Sequence, residues 1–301
     1  MKIVIALFAV GIISSTVMAQ DFETYEYKDN THLWGSIDRS DLMTLPYGEW
    51  FQEYYDTLEI SKIDYSIASD LKDVEVKIFL GTWCGDSKKW VPQFAKVWDE
   101  LKLDENQLEY ICLHNEGDNY KRGLNGKEEN LNIHRVPTFI FYKDKKEIGR
   151  IVERPLNDLV TDIKQIASGV PSKPRYRAVS YLNEQLNTVP LDSLEANQLK
   201  IAQKISRMTS SAGELNTYGH VLAAAGKKQE ALLVFKINAL LNRFNPNIHD
   251  SLAEAYKKVK DTENALKSYY RVLELDPKNE NAVVQVASIL KADKEQKTEV
   301  N

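Results

Sequence analysis

The sequence predicts an α/β domain with a mixed sheet and flanking helices, followed by an all-α domain of helical repeats. Two observations lead to this prediction. Strand-like apolar runs alternate with helical segments between residues 74 and 167, and strand patterns stop beyond about residue 175. In that second part, small and aromatic residues recur at a period of 34 residues, which is typical of stacked helix pairs.

Composition and charge narrow the class of protein. The chain has 301 residues, of which 43% are hydrophobic and 28% charged, as in an ordinary globular protein of about two domains. The formal net charge of −5 argues against nucleic acid as a partner. We also expect no membrane span in the mature chain, because its body contains no apolar run of about 18 residues.

The first residues predict export. Lys2 precedes a short apolar core, and Val17 and Ala19 provide the small residues of a cleavage site, so residues 1–19 are predicted to be a signal peptide. We expect cleavage after Ala19 and release into a periplasm or the medium, where disulfide chemistry is available. An anchoring helix or a buried first helix is the alternative.

The next segments follow the α/β pattern. Residues 20–69 are predicted to be an N-terminal extension, with helices over about 47–58 and 61–72. An α/β domain is expected at 70–170, where strands and helices alternate before a final hairpin. Its strands are expected at 74–80, 108–114, 136–144 and 146–153, and its helices at about 85–102 and 156–167. This order predicts a sheet that is covered by helices on both faces.

The helical domain is expected at 175–295. At an offset of 34, Gly219 matches Ala253, and Phe235 matches Tyr269. The pattern resembles the tetratricopeptide repeat, in which small residues let paired helices approach closely. Copies are predicted at about 212–245, 246–279 and, in part, 280–291. An unrelated pair of helical hairpins is the alternative, and the register does not extend to the helical stretch at 179–208.

Two stretches carry a second resemblance. "FLGTWCGDSKKWVPQF" at 79–94 and "RVPTFIFYKDKKEIGRIV" at 135–152 resemble the thioredoxin family over roughly 70–168. This resemblance implies that Cys84 is the nucleophile and that Pro137 is a cis-proline opposite it. It further implies that Trp83, Val136, Pro137 and Thr138 bind the substrate, with Val136 offering its backbone to an extended chain.

The chemistry of a helix start fits that role for Cys84. The cysteine is expected at the N-terminal end of a helix, where unsatisfied N–H groups and the helix dipole favour an anion. A thiolate, not a thiol, is the nucleophile in disulfide exchange. The position therefore favours a reactive form of Cys84.

Two departures from the family limit the reaction. Ser87 occupies the place of the second cysteine, and Ile78 replaces the family's buried acidic residue. The hydroxyl of Ser87 can donate a hydrogen bond to a thiolate but cannot resolve a mixed disulfide. Cys112 is predicted to be a buried strand residue more than about 10 Å from Cys84, too far for a disulfide.

The sequence thus supports two classes of function. One is an exported monothiol exchange protein, isomerase- or reductase-like, that acts on protein or small-thiol disulfides through Cys84 and Ser87. Its repeats would dock a protein partner or only stabilise the first domain. The alternative is a binding or assembly protein without turnover. We expect no cofactor and no metal, because Cys84, Cys112 and the five histidines show no ligand-like spacing.

Overall fold

The computed structural model describes residues 21–299, with a mixed six-stranded sheet and flanking helices in the N-terminal part and helices alone in the C-terminal part. The predicted signal peptide at 1–19 and its cleavage site after Ala19 lie outside these residues. Within the described range, every helix is either too short or too polar to cross a membrane.

The sheet has the strand order β1-β2-β4-β3-β5-β6. Its strands are β1 (Phe22–Tyr27), β2 (Asn30–Ile37), β3 (Glu75–Leu80), β4 (Leu108–Cys112), β5 (Thr138–Lys143) and β6 (Lys146–Val152). Strands β3 and β4 are parallel, with Leu80 paired to Cys112, and all other neighbours are antiparallel. The strands predicted from β3 onward are therefore confirmed, with bounds that differ by one or two residues.

The N-terminal extension contributes two strands that the sequence did not predict. Strands β1 and β2 form a hairpin around Lys28 and Asp29, which both have positive φ, and β2 pairs with β4. The helix predicted at 47–58 is present, but the stretch at 61–72 forms only short turns and one four-residue helix. Part of the extension is thus integral to the sheet.

One face of the sheet packs against helices. The helices of this part are α1 (Arg39–Leu42), α2 (Gly48–Asp56), α3 (Ala68–Leu71), α4 (Gly85–Glu100) and α5 (Leu159–Ala167). Val76, Ile78 and Leu80 alternate along β3 and point to this face, where they meet Phe94 and Trp98 of α4. Ile78 is fully buried in this core.

The opposite face is covered by a loop rather than by a helix. Phe79 and Ile140 point to this face and pack against Leu113, Ile133 and Val136 of the segment that joins β4 to β5. The prediction of helices on both faces is wrong here. Its physical reason is the polar sequence from 115 to 130, which lacks an apolar helical stripe and folds as turns.

The C-terminal part consists of paired helices. They are α6 (Arg177–Thr188), α7 (Leu191–Ala196), α8 (Gln198–Ile205), α9 (Ala212–Ala224), α10 (Lys228–Leu241), α11 (Pro246–Lys258), α12 (Thr262–Leu275) and α13 (Glu280–Glu299). The pairs α9–α10 and α11–α12 fall on the two predicted copies. Gly219 lies against the ring of Phe235, where an added Cβ would come within 2.6 Å, so the small residue allows the close approach.

Candidate functional site

Cys84 lies where the sequence places it, at the start of α4. Its backbone is extended, with φ −96 and ψ 123, and it is the N-cap residue of the helix. The Cys84 N–H donates to the carbonyl of Gly81 (2.9 Å), and its own carbonyl accepts from Lys88 (3.0 Å). The thiol is half-buried and is not part of a disulfide. It therefore sits beside the free N–H groups of a helix of 16 residues.

The loop before β5 faces this thiol. The Val136–Pro137 peptide bond is cis, and the Cys84 thiol donates a hydrogen bond to the Val136 carbonyl, with 3.3 Å between sulfur and oxygen. Thr138 is buried and donates its hydroxyl to the Arg135 carbonyl (2.7 Å), which fixes the loop where β5 begins. The structure thus brings Cys84, Val136, Pro137 and Thr138 together.

Trp83 and Ser87 hold the loop that carries the thiol. The Trp83 indole N–H donates to the Leu113 carbonyl (3.1 Å), and its ring lies against Gly81, where a Cβ would come within 2.5 Å of it. Ser87 is fully buried, and its hydroxyl accepts from the Gly81 N–H (3.2 Å). Among the described residues, no hydrogen bond joins Ser87 to Cys84, so this serine fastens the loop backbone.

Cys112 lies on the other side of the sheet. Its side chain belongs to the core that packs on α4, whereas Cys84 contacts the face covered by the loop. Both cysteines are free, and complete burial strongly raises the pKa of the Cys112 thiol. The sheet therefore lies between the two sulfurs, in agreement with the separation of Cys84 and Cys112 expected from the sequence.

A lysine that the sequence did not single out is buried at this site. Lys121 is 5% exposed, and its Nζ lies 4.6 Å from the centroid of the Trp83 ring and 4.9 Å from that of Tyr120. Burial lowers the pKa of Lys121 from 10.5 to about 8, and the nearby Cys84 opposes that change. Nothing in the polar loop sequence signals this burial.

Charged groups also act on Asp86, at the start of α4. Arg135 and Glu153 form an ion pair (3.4 Å), and the Arg135 guanidinium also covers the Tyr176 ring. Burial raises the pKa of Asp86, and the charge of Glu153 raises it further. The start of α4 is therefore surrounded by charges of both signs.

His134 is buried against the helical part of the chain. Its position in a loop beside Pro137 predicts a surface residue, but it is only 3% exposed. Its ring makes edge contacts with Tyr176 (5.4 Å between centroids) and Tyr218 (6.2 Å), and its Nε2 has no hydrogen-bond partner. Burial lowers the pKa of His134 to about 3, so the ring is neutral at physiological pH.

The helical part docks directly on the loop beside Cys84. The Arg135 guanidinium donates to the Gly213 carbonyl of α9 (3.0 Å), and Lys258 of α11 lies 3.7 Å from Asp118. Between them, Tyr120 meets His220 edge-on, with 6.2 Å between the ring centroids. The residues that flank the thiol are thus also contacts between the two parts of the chain.

A cleft opens at this junction. Its volume is about 440 Å³, and it is lined by residues of the 117–120 turn and of α9, α10 and α11. The lining includes Tyr120, His220, Phe235, Ser251, Glu254 and Lys258. An apolar floor with a few polar groups is typical of a site that binds a ligand or a peptide.

Neither a known protein-family model nor a curated protein matches the chain. Within residues 21–299, no three His, Cys, Asp or Glu side chains converge in a way that could hold a metal ion. The residues around Cys84 therefore provide the main evidence for function.

Proposed function

We propose that the chain is an exported protein with a thioredoxin-like domain, which exchanges disulfides through a single cysteine, Cys84. The observation that carries this proposal is the 3.3 Å contact between the Cys84 sulfur and the carbonyl of Val136, next to cis-Pro137. The strand order β4-β3-β5-β6, with a helix after β3, supports the resemblance to thioredoxins. Export rests on the sequence at 1–19 alone.

The first step is attack on a substrate disulfide. The Cys84 thiolate attacks one sulfur, a new S–S bond forms to Cys84, and the substrate S–S bond breaks. The second substrate sulfur leaves as a thiolate and takes a proton from solvent. No electrons enter or leave, because one disulfide replaces another. The N–H groups at the start of α4 stabilise the attacking anion.

The second step needs a thiol from outside the chain. Ser87 has no sulfur, and Cys112 lies behind the sheet in a different core. A small thiol, or another cysteine of the client, must therefore attack the mixed disulfide and return Cys84 as a thiolate. This chemistry suits disulfide isomerisation or the removal of small-thiol adducts, and it does not suit net reduction by this chain alone.

An extended client fits beside the thiol. When Cys84 attacks, the carbonyl of Val136 loses its thiol donor and becomes free to accept an N–H from the client backbone. The junction cleft near Tyr120 favours a second contact, in which the helical repeats hold a protein partner. The same cleft supports the alternative, a binding or assembly protein in which Cys84 catalyses no reaction.

Intact-mass measurement after incubation with oxidised glutathione tests the proposal. The wild-type protein should gain one glutathione per chain, and a Cys112→Ala variant should gain it equally. Cys84→Ser should gain none, because Cys112 is fully buried. A wild-type protein that stays unmodified over hours, while its fold is intact, would contradict the exchange function and leave the binding protein.

A further inference from the structure

A second cleft opens on the other face of α11 from the junction cleft. Its volume is about 610 Å³, and it is lined by residues of α8, α10, α11, α12 and the turn after α10. From α11, His249, Leu252 and Tyr256 line this cleft, whereas Ser251 and Ala255 line the junction cleft. Spacings of three and four residues keep each set on one side of the helix. The two clefts are therefore separate sites.

The lining of the second cleft is basic. It contains Lys236, Arg243, His249 and Arg271, and within residues 21–299 no aspartate or glutamate lines it. The whole chain, by contrast, has a formal net charge of −5. A surface region lined by one sign of charge concentrates ligands of the opposite sign. We call this site the basic cleft, and its charge favours an anionic ligand.

Three of these basic residues are tied together by hydrogen bonds. The Arg243 carbonyl accepts from Nε2 of His249 (2.9 Å) and from Nη2 of Arg271 (3.3 Å). The Arg243 side chain itself donates from Nε to the Leu240 carbonyl (3.2 Å). An arginine has five N–H donors, so both guanidinium groups keep donors for a ligand while their positions are fixed.

Neighbouring carboxylates neutralise only part of the positive charge. Lys236 pairs with Glu195 (3.2 Å) and Arg271 pairs with Glu274 (2.8 Å), but neither carboxylate lines the cleft. Arg243 is exposed, and no carboxylate of the described part of the chain forms an ion pair with it. Arg243 is thus the cation that is most available to a ligand.

Apolar surface lies beside the basic groups. Ala239 and Leu252 line the cleft and are buried, so they form its floor. Phe244, which follows Arg243 in the chain, is 80% exposed, and the Arg271 guanidinium lies 5.9 Å from the centroid of its ring. An exposed aromatic ring at this place offers contact area to an apolar side chain of a ligand. A small inorganic anion would leave this surface unused.

We propose that the basic cleft binds an acidic segment of a protein partner, whose carboxylates pair with Arg243 and Arg271 and whose apolar side chains pack on Phe244. Carboxylates match the planar guanidinium group and accept paired N–H bonds from it. The volume of the cleft lies within the range of ligand pockets. Nucleic acid fits less well, because the net charge of −5 repels a long polyanion.

Fluorescence anisotropy of the full chain with a labelled peptide of four Glu-Leu repeats tests the proposal. The peptide should bind, and binding should weaken as the salt concentration rises or when glutamine replaces glutamate. Arg243→Gln should weaken binding roughly three- to tenfold, and a further Arg271→Gln should weaken it again. The matched control is Arg177→Gln, which changes an exposed arginine at the start of α6 that lines neither cleft.

Several results would overturn the proposal. They are no binding of the glutamate peptide, equal binding of the glutamine peptide, and equal losses in folded Arg243→Gln and Arg177→Gln. Displacement of the peptide by sodium phosphate, but not by sodium chloride of the same ionic strength, would assign the cleft to a small anion instead. A dimer of the free chain that dissociates in Arg243→Gln would assign it to a second copy. Cys84→Ser should bind the peptide as tightly as wild type, so this test is independent of disulfide exchange.

Discussion

The sulfur of Cys84 lies 3.3 Å from the carbonyl oxygen of Val136, on the face of the sheet that a loop covers. That loop also carries Lys121, His134 and Arg135, and it docks on the helical part through Arg135 and Tyr120. The thiol therefore lies next to the junction between the two parts of the chain. A client of the proposed exchange reaction would therefore contact residues from both parts.

A second thiol at position 87 should change the proposed monothiol exchange into net disulfide reduction. In Ser87→Cys, the introduced thiol lies three residues after Cys84 in the Cys-x-x-Cys arrangement, so it can attack the mixed disulfide. With no other thiol present, we expect the pre-reduced variant to reduce a protein disulfide and release both client thiols, whereas the wild type stops at the mixed disulfide.

Ser87→Ala is the control for this gain. Both substitutions remove the hydroxyl that accepts from the buried Gly81 N–H, and each should lower the free energy of unfolding by about 1–3 kcal/mol. Only Ser87→Cys should gain reductase activity. Equal activity in the two variants would show that position 87 lies outside the reaction.

His134 should make the protein sensitive to mild acid. Its folded pKa of about 3 is below the unfolded value of 6.5, so the unfolded chain binds the extra proton and stability falls as pH drops from 6.5 towards 3. Between pH 7 and pH 5 the loss from this group is about 2 kcal/mol. Urea unfolding at the two pH values should show it.

Replacing the imidazole separates this contribution from others. His134→Phe should flatten the pH dependence of the unfolding free energy between pH 7 and pH 5. A smaller slope should remain, because burial also lowers the pKa of His32, His114 and His220. The same slope in the variant and in wild type would contradict the burial of a neutral His134.

Two glycines of α9 should respond oppositely to the same substitution. Gly219→Ala places a methyl group within 2.6 Å of the Phe235 ring and should cost about 1–3 kcal/mol by forcing α9 and α10 apart. Gly213→Ala meets its nearest atom at 3.7 Å and should be neutral or stabilise by about 0.4–1 kcal/mol. Thermal unfolding compares them, and equal effects would refute the close packing of these helices.

The elements from β3 onward could be predicted because their signals are local. Alternating apolar residues define β3, and the repeat of Gly219 and Ala253 at 34 residues marks the helix pairs. The β1–β2 hairpin escaped prediction because its turn uses Lys28 and Asp29 at positive φ, where Asn-Gly is the stronger signal. In addition, every residue of its first strand is exposed or half-exposed.

Some residues of the candidate site could also be predicted from the sequence, and others could not. Cys84, Val136 and Pro137 are recognised because their short motifs carry backbone geometry. Lys121 and His134 could not be placed, since their burial depends on a polar loop that packs against α9, far along the chain. Long-range contact, rather than local pattern, decides what a loop residue does.

Turnover of a glutathionylated peptide, with reduced glutathione as the second thiol, is the direct test of monothiol exchange through Cys84. The wild type should release peptide thiol catalytically at a rate that rises with the glutathione concentration, and at most one equivalent per chain without glutathione. Cys84→Ser should release none. Catalysis that survives Cys84→Ser, or a wild type that never exceeds the uncatalysed rate, would contradict a monothiol exchange protein.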